Sequence, residues 1–283
     1  MHLAITTSDR SDPELRQRAQ VAAREVGVPC VERTHKIPLS ALLEEGREAV
    51  VVFEASAVSL VDHAGTLRFS PGLAHLRIKQ LDRGVRDDML VRHARLQEGD
   101  AVLDCTVGLA ADAQVAARLV GRAGSVTALE KSPALYLLVR HGLELLPRHP
   151  SAGPLRVLHA DAADYLRVAP TGAFDVVLID PMFQRERKSS AAFEALRRHA
   201  DYWQLTGETV RQAQRVARRA VVIKASRYSS DLKKLGLKAE PARPGATVLW
   251  ARLPGLGDPG APTVGQPEGV REPRAPGAET RSG

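Results

Sequence analysis

The sequence predicts a doubly wound, Rossmann-like α/β sheet, preceded by a small α/β unit and followed by a disordered tail. Three observations carry this. From residue 101 onward, short β-rich runs alternate with helix-forming segments, the pattern of βαβ units on a parallel sheet. Four of the runs end in an acid: Asp104, Glu130, Asp161 and Asp180. Ligands of open α/β sheets bind in the crevice outside the carboxyl ends of the strands, so acids placed there are candidates for chemistry.

Residues 1–75 read as the small accessory unit. Leu3 to Thr6 is a short strand. Asp12 caps a helix that begins at Pro13, carries Leu15, Ala19, Ala22 and Val26 on one face and stops at Gly27. Val50 to Phe53 is a second strand, and the runs Val58 to Val61 and Thr66 to Phe69 flank the hairpin signal Asp62-His63-Ala64-Gly65. Such a unit either helps to grip a substrate or covers one edge of the larger sheet.

Residues 76–253 form the main domain. Leu73 to Arg95 is helix-prone and carries Arg77, Lys79, Arg83, Arg86 and Arg92, a basic stretch suited to a polyanion. Ala101 to Asp104 is a strand; Thr106 and Gly108 lie in the turn after it, and a helix runs from Ala111 to Val120 with Gly121 as its stop. A dinucleotide fingerprint needs G-x-G-x-x-G, yet Ala110 and Ala113 stand in the later places. Pyrophosphate is therefore disfavoured, whereas a phosphate-free nucleoside cofactor such as S-adenosyl-L-methionine makes no such demand. Ala110 suits this turn as long as its φ stays negative.

Val126 to Glu130 is the next strand, and Ser132 with Pro133 opens the helix after it. An acid at the end of the second strand is placed to accept hydrogen bonds from ribose hydroxyls; the bland alternative is a surface Glu130 paired with Lys131. Leu155 to Asp161 is a third strand, whose terminal acid is placed to receive an adenine amino group. His159 lies further back on the same face and is assigned to packing.

The run Phe174-Asp175-Val176-Val177-Leu178-Ile179-Asp180-Pro181-Met182-Phe183 delivers an acid, a proline and an aromatic ring together at the end of a buried strand. That is a place to hold a planar base by its amine. Arg185, Arg187 and Lys188 follow, where positive charge would hold a flanking phosphate. Beyond them come helices over Ala191 to Ala200 and Glu208 to Arg218, the second capped by Thr206, then strands Ala220 to Ala225 and Thr247 to Ala251. Lys224 ends its strand on the ligand side, either to meet a phosphate or as a solvated strand end. Residues 254–283 are rich in Pro and Gly and poor in large apolar side chains, the composition of a segment that does not fold alone.

These residues together resemble the class I S-adenosylmethionine-dependent methyltransferases, and more narrowly the ribosomal RNA small-subunit methyltransferase J group and its uncharacterised relatives. The resemblance rests on Val102 to Leu109, Leu129 to Pro133, Asp180 to Phe183 and Arg219 to Lys224, and spans residues 75–251. It implies a final antiparallel strand in the sheet and cofactor contacts at Ala111, Asp112, Glu130, Lys131, Asp161, Ala162 and Asp180. The acid and turn residues Asp104, Thr106 and Gly108 complete the expected cofactor set. The group methylates the exocyclic N2 of a guanine in 16S ribosomal RNA, so RNA is the implied partner. The chain departs from the family pattern at Ala110, where glycine is usual, and at Gln184, where proline is usual. The upstream residues Ser70 to Lys79 look closer to the uncharacterised relatives.

The chemistry also follows from the residues. An aromatic amine is a poor nucleophile because its lone pair is delocalised, so a site must turn that lone pair toward the methyl donor. The Asp180 carboxylate and the Pro181 carbonyl each accept one amine hydrogen in this reading, Phe183 stacks on the base and Met182 lies beside it; such a stacking contact is worth about 1–3 kcal/mol. Positioning, rather than strong acid-base work, supplies most of the rate.

Composition fits this reading. The 283-residue chain is 44% hydrophobic, enough for a substantial core. A net charge of +7 and a pI near 9.7 favour a polyanionic partner, while 4% aromatic content argues against an extended single-strand stacking platform. Cys30 and Cys105 form no disulfide framework, and the nine histidines show no metal-ligand spacing, so no metal is expected. No apolar run approaches the ~20 residues of a membrane span, and Met1 to Arg10 lacks a signal core, which predicts a cytoplasmic protein. The rival readings are a methyltransferase for a small molecule or a DNA base, a non-catalytic RNA-binding ribosome-assembly factor and, weakest, a nucleotide-dependent oxidoreductase.

Overall fold

The structure, a computed structural model, describes residues 2–8, 12–32, 38–44, 46–181, 191–200, 203–241 and 245–256. Met182, Phe183, Gln184, Arg185, Arg187, Lys188 and most of the 254–283 tail lie outside the described residues.

The amino-terminal elements are β1 (Leu3–Thr7), α1 (Pro13–Val26), α2 (Leu39–Glu44), β2 (Ala49–Phe53), β3 (Val58–Asp62) and β4 (Gly65–Arg68). They build a four-stranded sheet of order β1-β2-β3-β4, with β1 parallel to β2 and the other pairs antiparallel. Helix α1 starts where the sequence says. The Asp12 carboxylate accepts the N–H groups of Glu14 and Leu15, and Gly27 ends the helix at φ 71°, a conformation that costs glycine nothing. The hairpin forms because Asp62 Oδ1 accepts the N–H groups of Ala64 and Gly65, each at 2.8 Å.

The second unit comprises α3 (Gly72–Asp82), α4 (Met89–Ala94), β5 (Ala101–Asp104), α5 (Ala111–Val120), β6 (Ser125–Glu130), α6 (Pro133–Glu144), β7 (Leu155–His159), α7 (Ala162–Val168), β8 (Phe174–Ile179), α8 (Ala191–His199), α9 (Gly207–Val216), β9 (Ala217–Ser226), α10 (Asp231–Lys234), β10 (Glu240–Pro241) and β11 (Val248–Pro254). Its seven strands lie in the order β10-β11-β9-β8-β5-β6-β7. Strands β9, β8, β5, β6 and β7 are parallel; β11 runs antiparallel to β9 and β10 antiparallel to β11. The chain winds outward from β5 through β6 and β7, then returns to β8 on the other side. The switch point therefore falls between β5 and β8, the place where such sheets open a ligand crevice.

The two sheets share one apolar core. Ile5, Phe53, Leu60 and Phe69 belong to the same buried cluster as Val102, Val115, Leu135 and Leu138. Helix α6 is the joint, packed against β2 and β3 on one side and β6 and β7 on the other. It runs from the Ser132 cap, whose hydroxyl accepts the Leu135 N–H, and is buried along most of its length.

Several expectations need correction. Leu73 to Arg95 is two helices, not one; α3 stops at Asp82 and α4 restarts at Met89 with Asp88 as its cap. Arg218 belongs to β9 rather than to α9, which ends at Val216. Ala110 has φ 61°, not the negative value its side chain prefers. The short elements α2, α10 and β10 carry no sequence signal strong enough to be read.

Candidate active site

The floor of the site is the join between β5 and β8. Cys105 N–H donates to the Leu178 carbonyl at 2.9 Å, and the Asp180 N–H donates to Thr106 Oγ1 at 2.7 Å. Thr106 N–H in turn donates to Asp104 Oδ1 at 3.0 Å. These bonds fix the ends of both strands in one plane before any ligand arrives. Asp104 is 3% exposed, and burial pushes its carboxyl up to about 7, with the Thr106 N–H opposing and Asp112 adding to the rise.

After Gly108, at φ 53°, and Ala110, the chain enters α5. The first turn of that helix holds Asp112, whose carboxylate is gripped from two sides. Arg77 Nη1 donates to Oδ1 at 2.7 Å, and Lys224 Nζ donates to Oδ2. Lys224 also donates to Asp180 Oδ2 at 2.8 Å and sits 4.9 Å from the centre of the Trp250 ring. Arg77 reaches back to Asp88 through two bonds, of 2.7 and 3.0 Å. The result is a chain of alternating charge, Asp180, Lys224, Asp112, Arg77 and Asp88, running behind the crevice. Burial works against Lys224's charge, but Asp180 and Asp112 hold its pKa above the ordinary lysine value. Burial likewise raises Asp112, yet Lys224 and Arg77 outweigh it and the carboxyl lies below its usual range. Asp180 stays above that range, because burial outweighs the attraction of Lys224.

The crevice is a cleft lined by Thr106 and Gly108 after β5, by Glu130 and Lys131 after β6, by Asp161 and Ala162 after β7 and by Asp180 after β8. The remaining wall is apolar and includes Leu129, Leu135, Leu196 and Trp203. Glu130 Oε1 accepts the Ser132 N–H at 2.9 Å, which orients the carboxylate at the strand end. Asp161 Oδ1 caps α7 by accepting the N–H groups of Ala163 and Asp164, at 2.7 and 3.1 Å. Lys131 Nζ lies 3.3 Å from Asp161 Oδ2. Although burial works the other way, the Asp164 N–H, Lys131 and the Ala163 N–H hold that carboxyl below its usual range.

Seven of the residues expected at the cofactor thus line one cleft. Asp104, Ala111 and Asp112 are not among its lining residues; they stand behind it and shape it. Lys224 does not reach out toward a phosphate but points inward between two carboxylates. Arg77 belongs to the same interior network, so it is no part of an exposed basic face. Arg83 lies past the end of α3, beside the last turn of α5 where Asp82 pairs with Arg118 at 2.8 Å, and so away from the cleft. Among the described residues His159 bonds to no acid; its Nε2 lies 3.0 Å from the Lys131 carbonyl and its ring stacks on Tyr136. The wall residues Leu196, Ala200 and Trp203 were not legible beforehand, since only the folding back of α8 brings them to the cleft.

The donor set fits an adenosyl cofactor without phosphate. Carboxylates stand at Glu130 and Asp161 with apolar surface between them, and no glycine-rich pyrophosphate cradle is seen among the described residues. Fold and cleft together define a class I S-adenosylmethionine-dependent methyltransferase. Comparison with known proteins agrees. Residues 43–241 match the family described as "Putative SAM-dependent methyltransferase", and the chain belongs to that family. It is 31% identical over 237 residues to the uncharacterized protein YpiP of Bacillus subtilis, covering 82% of this chain and 92% of the relative. It is 27% identical over 252 residues to ribosomal RNA small subunit methyltransferase J of Thioalkalivibrio sulfidiphilus, covering 84% and 92%. The SAM-dependent methyltransferase NGO1261 from Neisseria gonorrhoeae shares the fold, with a TM-score of 0.55 at 20% identity over 90% of this chain and 96% of that one. Among the described residues, no helix is long and apolar enough to cross a membrane.

Proposed function

We propose that the chain transfers the methyl group of S-adenosylmethionine to an exocyclic amine, the N2 of a guanine in ribosomal RNA, in the cytoplasm. The observation that supports this most is the position of Asp180. It follows β8 directly and lines the cleft, its N–H is bound by Thr106 and its carboxylate by Lys224, and the buried Pro181 follows it. Bound in the cleft, the cofactor supplies an electrophilic methyl on a sulfonium. The chain supplies orientation. An ionised Asp180 only accepts hydrogen bonds, so it takes an N–H of the amine and turns the nitrogen lone pair outward. The Pro181 carbonyl takes the second N–H. In this reading Phe183 stacks on the base beside Met182, and Arg185, Arg187 and Lys188 hold the flanking backbone. The J-type relative contributes the choice of ribosomal RNA; the net charge of +7 agrees with it.

The test is nucleoside mass spectrometry of small-subunit RNA from a deletion strain. One N2-methylguanosine should disappear and return with the native gene but not with Asp180→Ala. An unchanged nucleoside profile would remove the ribosomal RNA assignment. In calorimetry with S-adenosylhomocysteine, Asp180→Ala should stay within about tenfold of native affinity, roughly 1.4 kcal/mol, while Glu130→Ala should bind far more weakly.

A further inference from the structure

We propose that Lys224 is a positioning residue for Asp180, holding one oxygen of that carboxylate so that the acid meets the amine ionised and in a fixed orientation. The inference rests on the amine-methylating reading of the site and extends it to a residue that need not touch substrate.

The geometry comes from three separate anchors. Lys224 leaves β9 opposite Trp250 of β11, and its ammonium is fixed by the Trp250 ring, by Asp112 on α5 and by Asp180 on β8. Asp112 cannot swing away, because Arg77 of α3 holds its other oxygen and is itself held by Asp88 at the cap of α4. A lysine side chain is long and loosely ordered by nature. Here it is only 16% exposed and has defined contacts on every side. Among the described residues, Lys224 is the donor to the Asp180 carboxylate, and it takes Oδ2. In the proposal this leaves Oδ1 for the amine.

A phosphate contact is the competing use of a lysine at a strand end. It fails on charge. An ammonium bonded to two carboxylates presents a site with net negative charge, which repels a phosphate rather than attracting it.

The charged groups around Asp180 decide what the loss of Lys224 would do. Asp104 and Thr106 face it from β5, Asp112 from α5, Lys224 from β9 and Arg77 from α3, with Asp88 behind Arg77. Glu130, Lys131 and Asp161 stand across the cleft. Without Lys224, two buried carboxylates and no directly bonded cation would surround Asp180, since Arg77 is engaged by Asp112 and Asp88. The acid would then hold a proton near neutral pH and present a donor where the amine needs an acceptor.

The experiment is a pH titration of the native protein, Lys224→Met and Lys224→Arg labelled with [13C]carboxyl aspartate, the Asp180 resonance being assigned by its loss in Asp180→Asn. The Asp180 midpoint should rise by about 1–3 pH units in Lys224→Met, the effect of an adjacent opposite charge, and return most of the way in Lys224→Arg. Lys224→Gln is read in the same way should the methionine variant lose its native spectrum. An unchanged midpoint in a folded neutral variant overturns the proposal.

Methyl transfer to small-subunit RNA from the deletion strain gives a second readout. Lys224→Met should lose kcat at pH 7 with KM for RNA unchanged and regain it as pH rises. A phosphate contact would instead raise KM, with no recovery at high pH, and would also overturn the proposal. Full turnover by Asp180→Asn would sink the amine reading itself, leaving the Lys224 titration still interpretable on its own terms.

Discussion

His199 Nε2, at the end of α8, lies 2.8 Å from Oδ2 of Asp62, at the tip of the amino-terminal hairpin. Arg198 Nε donates to the same oxygen at 2.7 Å. Both Asp62 and His199 are buried side chains, although they are 137 residues apart in the chain. Helix α8 carries Leu196, and Ala200 and Trp203 follow closely, all three in the cleft wall. The hairpin is therefore bonded to the segment that supplies part of the cleft wall.

Asp62→Ala should loosen that wall. We expect weaker S-adenosylhomocysteine binding by calorimetry and a stability loss of about 1–3 kcal/mol by urea unfolding, the cost of leaving charged hydrogen-bond partners unsatisfied. The pH dependence has a definite sign. Burial raises the Asp62 carboxyl, but Arg198, His199 and the Ala64 N–H more than compensate, so it lies below the ordinary value. Its contribution is thus complete above the unfolded-chain value of about 3.9 and is lost as pH falls through the lower folded value. The gap between native and variant should be constant near neutrality and close only in strong acid.

Gly142 marks another contact between the two units. A Cβ there would lie 2.2 Å from Cγ of Phe69 and 2.3 Å from its Cδ1. Gly142→Ala should cost at least about 1–3 kcal/mol through overpacking, visible as a lower Tm. Phe69→Leu should recover part of that loss in the double variant. Additive losses would show that α6 and the residues after β4 do not press on each other.

What the sequence revealed was local. Asp12 with Gly27, Ser132 with Pro133, Thr206, and Gly121 all act within one helical turn, so their caps and stops could be read from neighbours alone. Glu130, Asp161 and Asp180 could be placed at the cleft because a β-rich run followed by a turn carries its end to the ligand side, whereas Asp104 stands behind the cleft. The interior charge chain could not. Lys224 and Asp112 are 112 residues apart, and Arg77 and Asp112 are 35 apart; in the sequence each is one charge among many. One signal was present: a lysine ending the apolar run Ala220 to Ile223 must be buried beside an acid or escape to water. The break in Leu73 to Arg95 was also marked, by Gly84 and by the capping residue Asp88.

Ala110 tests how strictly the turn before α5 constrains its residue. At φ 61° it adopts a left-handed backbone that disfavours a Cβ by about 1–2 kcal/mol. Its methyl is nevertheless fully buried. Strain relief and lost packing oppose each other, so Ala110→Gly should leave stability within about 1 kcal/mol of native. Ala113→Gly, in the same helix and equally buried, loses packing and helix propensity together and should cost about 1–2 kcal/mol. Urea unfolding of the two variants decides it. Equal losses would mean that the left-handed turn carries no strain.

Asp104 gives the clearest pH signature. Its carboxyl is pushed up to about 7 by burial, so between about pH 4 and pH 7 the folded protein keeps a proton that the unfolded chain has released. Stability must therefore fall as pH rises through that window, by no more than about 4 kcal/mol, and level off above it. Asp104→Asn keeps an oxygen to accept the Thr106 N–H but cannot titrate. Its unfolding free energy should lack this decline, so the variant gains on the native protein between pH 5 and pH 8. A positive sulfonium in the adjoining cleft favours the ionised acid. S-adenosylmethionine binding near pH 6 should then release a fraction of a proton, read by calorimetry in buffers of different ionisation enthalpy. S-adenosylhomocysteine, which lacks that charge, should release less, and Asp104→Asn should abolish the difference. Equal proton release by the two ligands in the native protein would mean that Asp104 does not sense the reacting end of the cofactor.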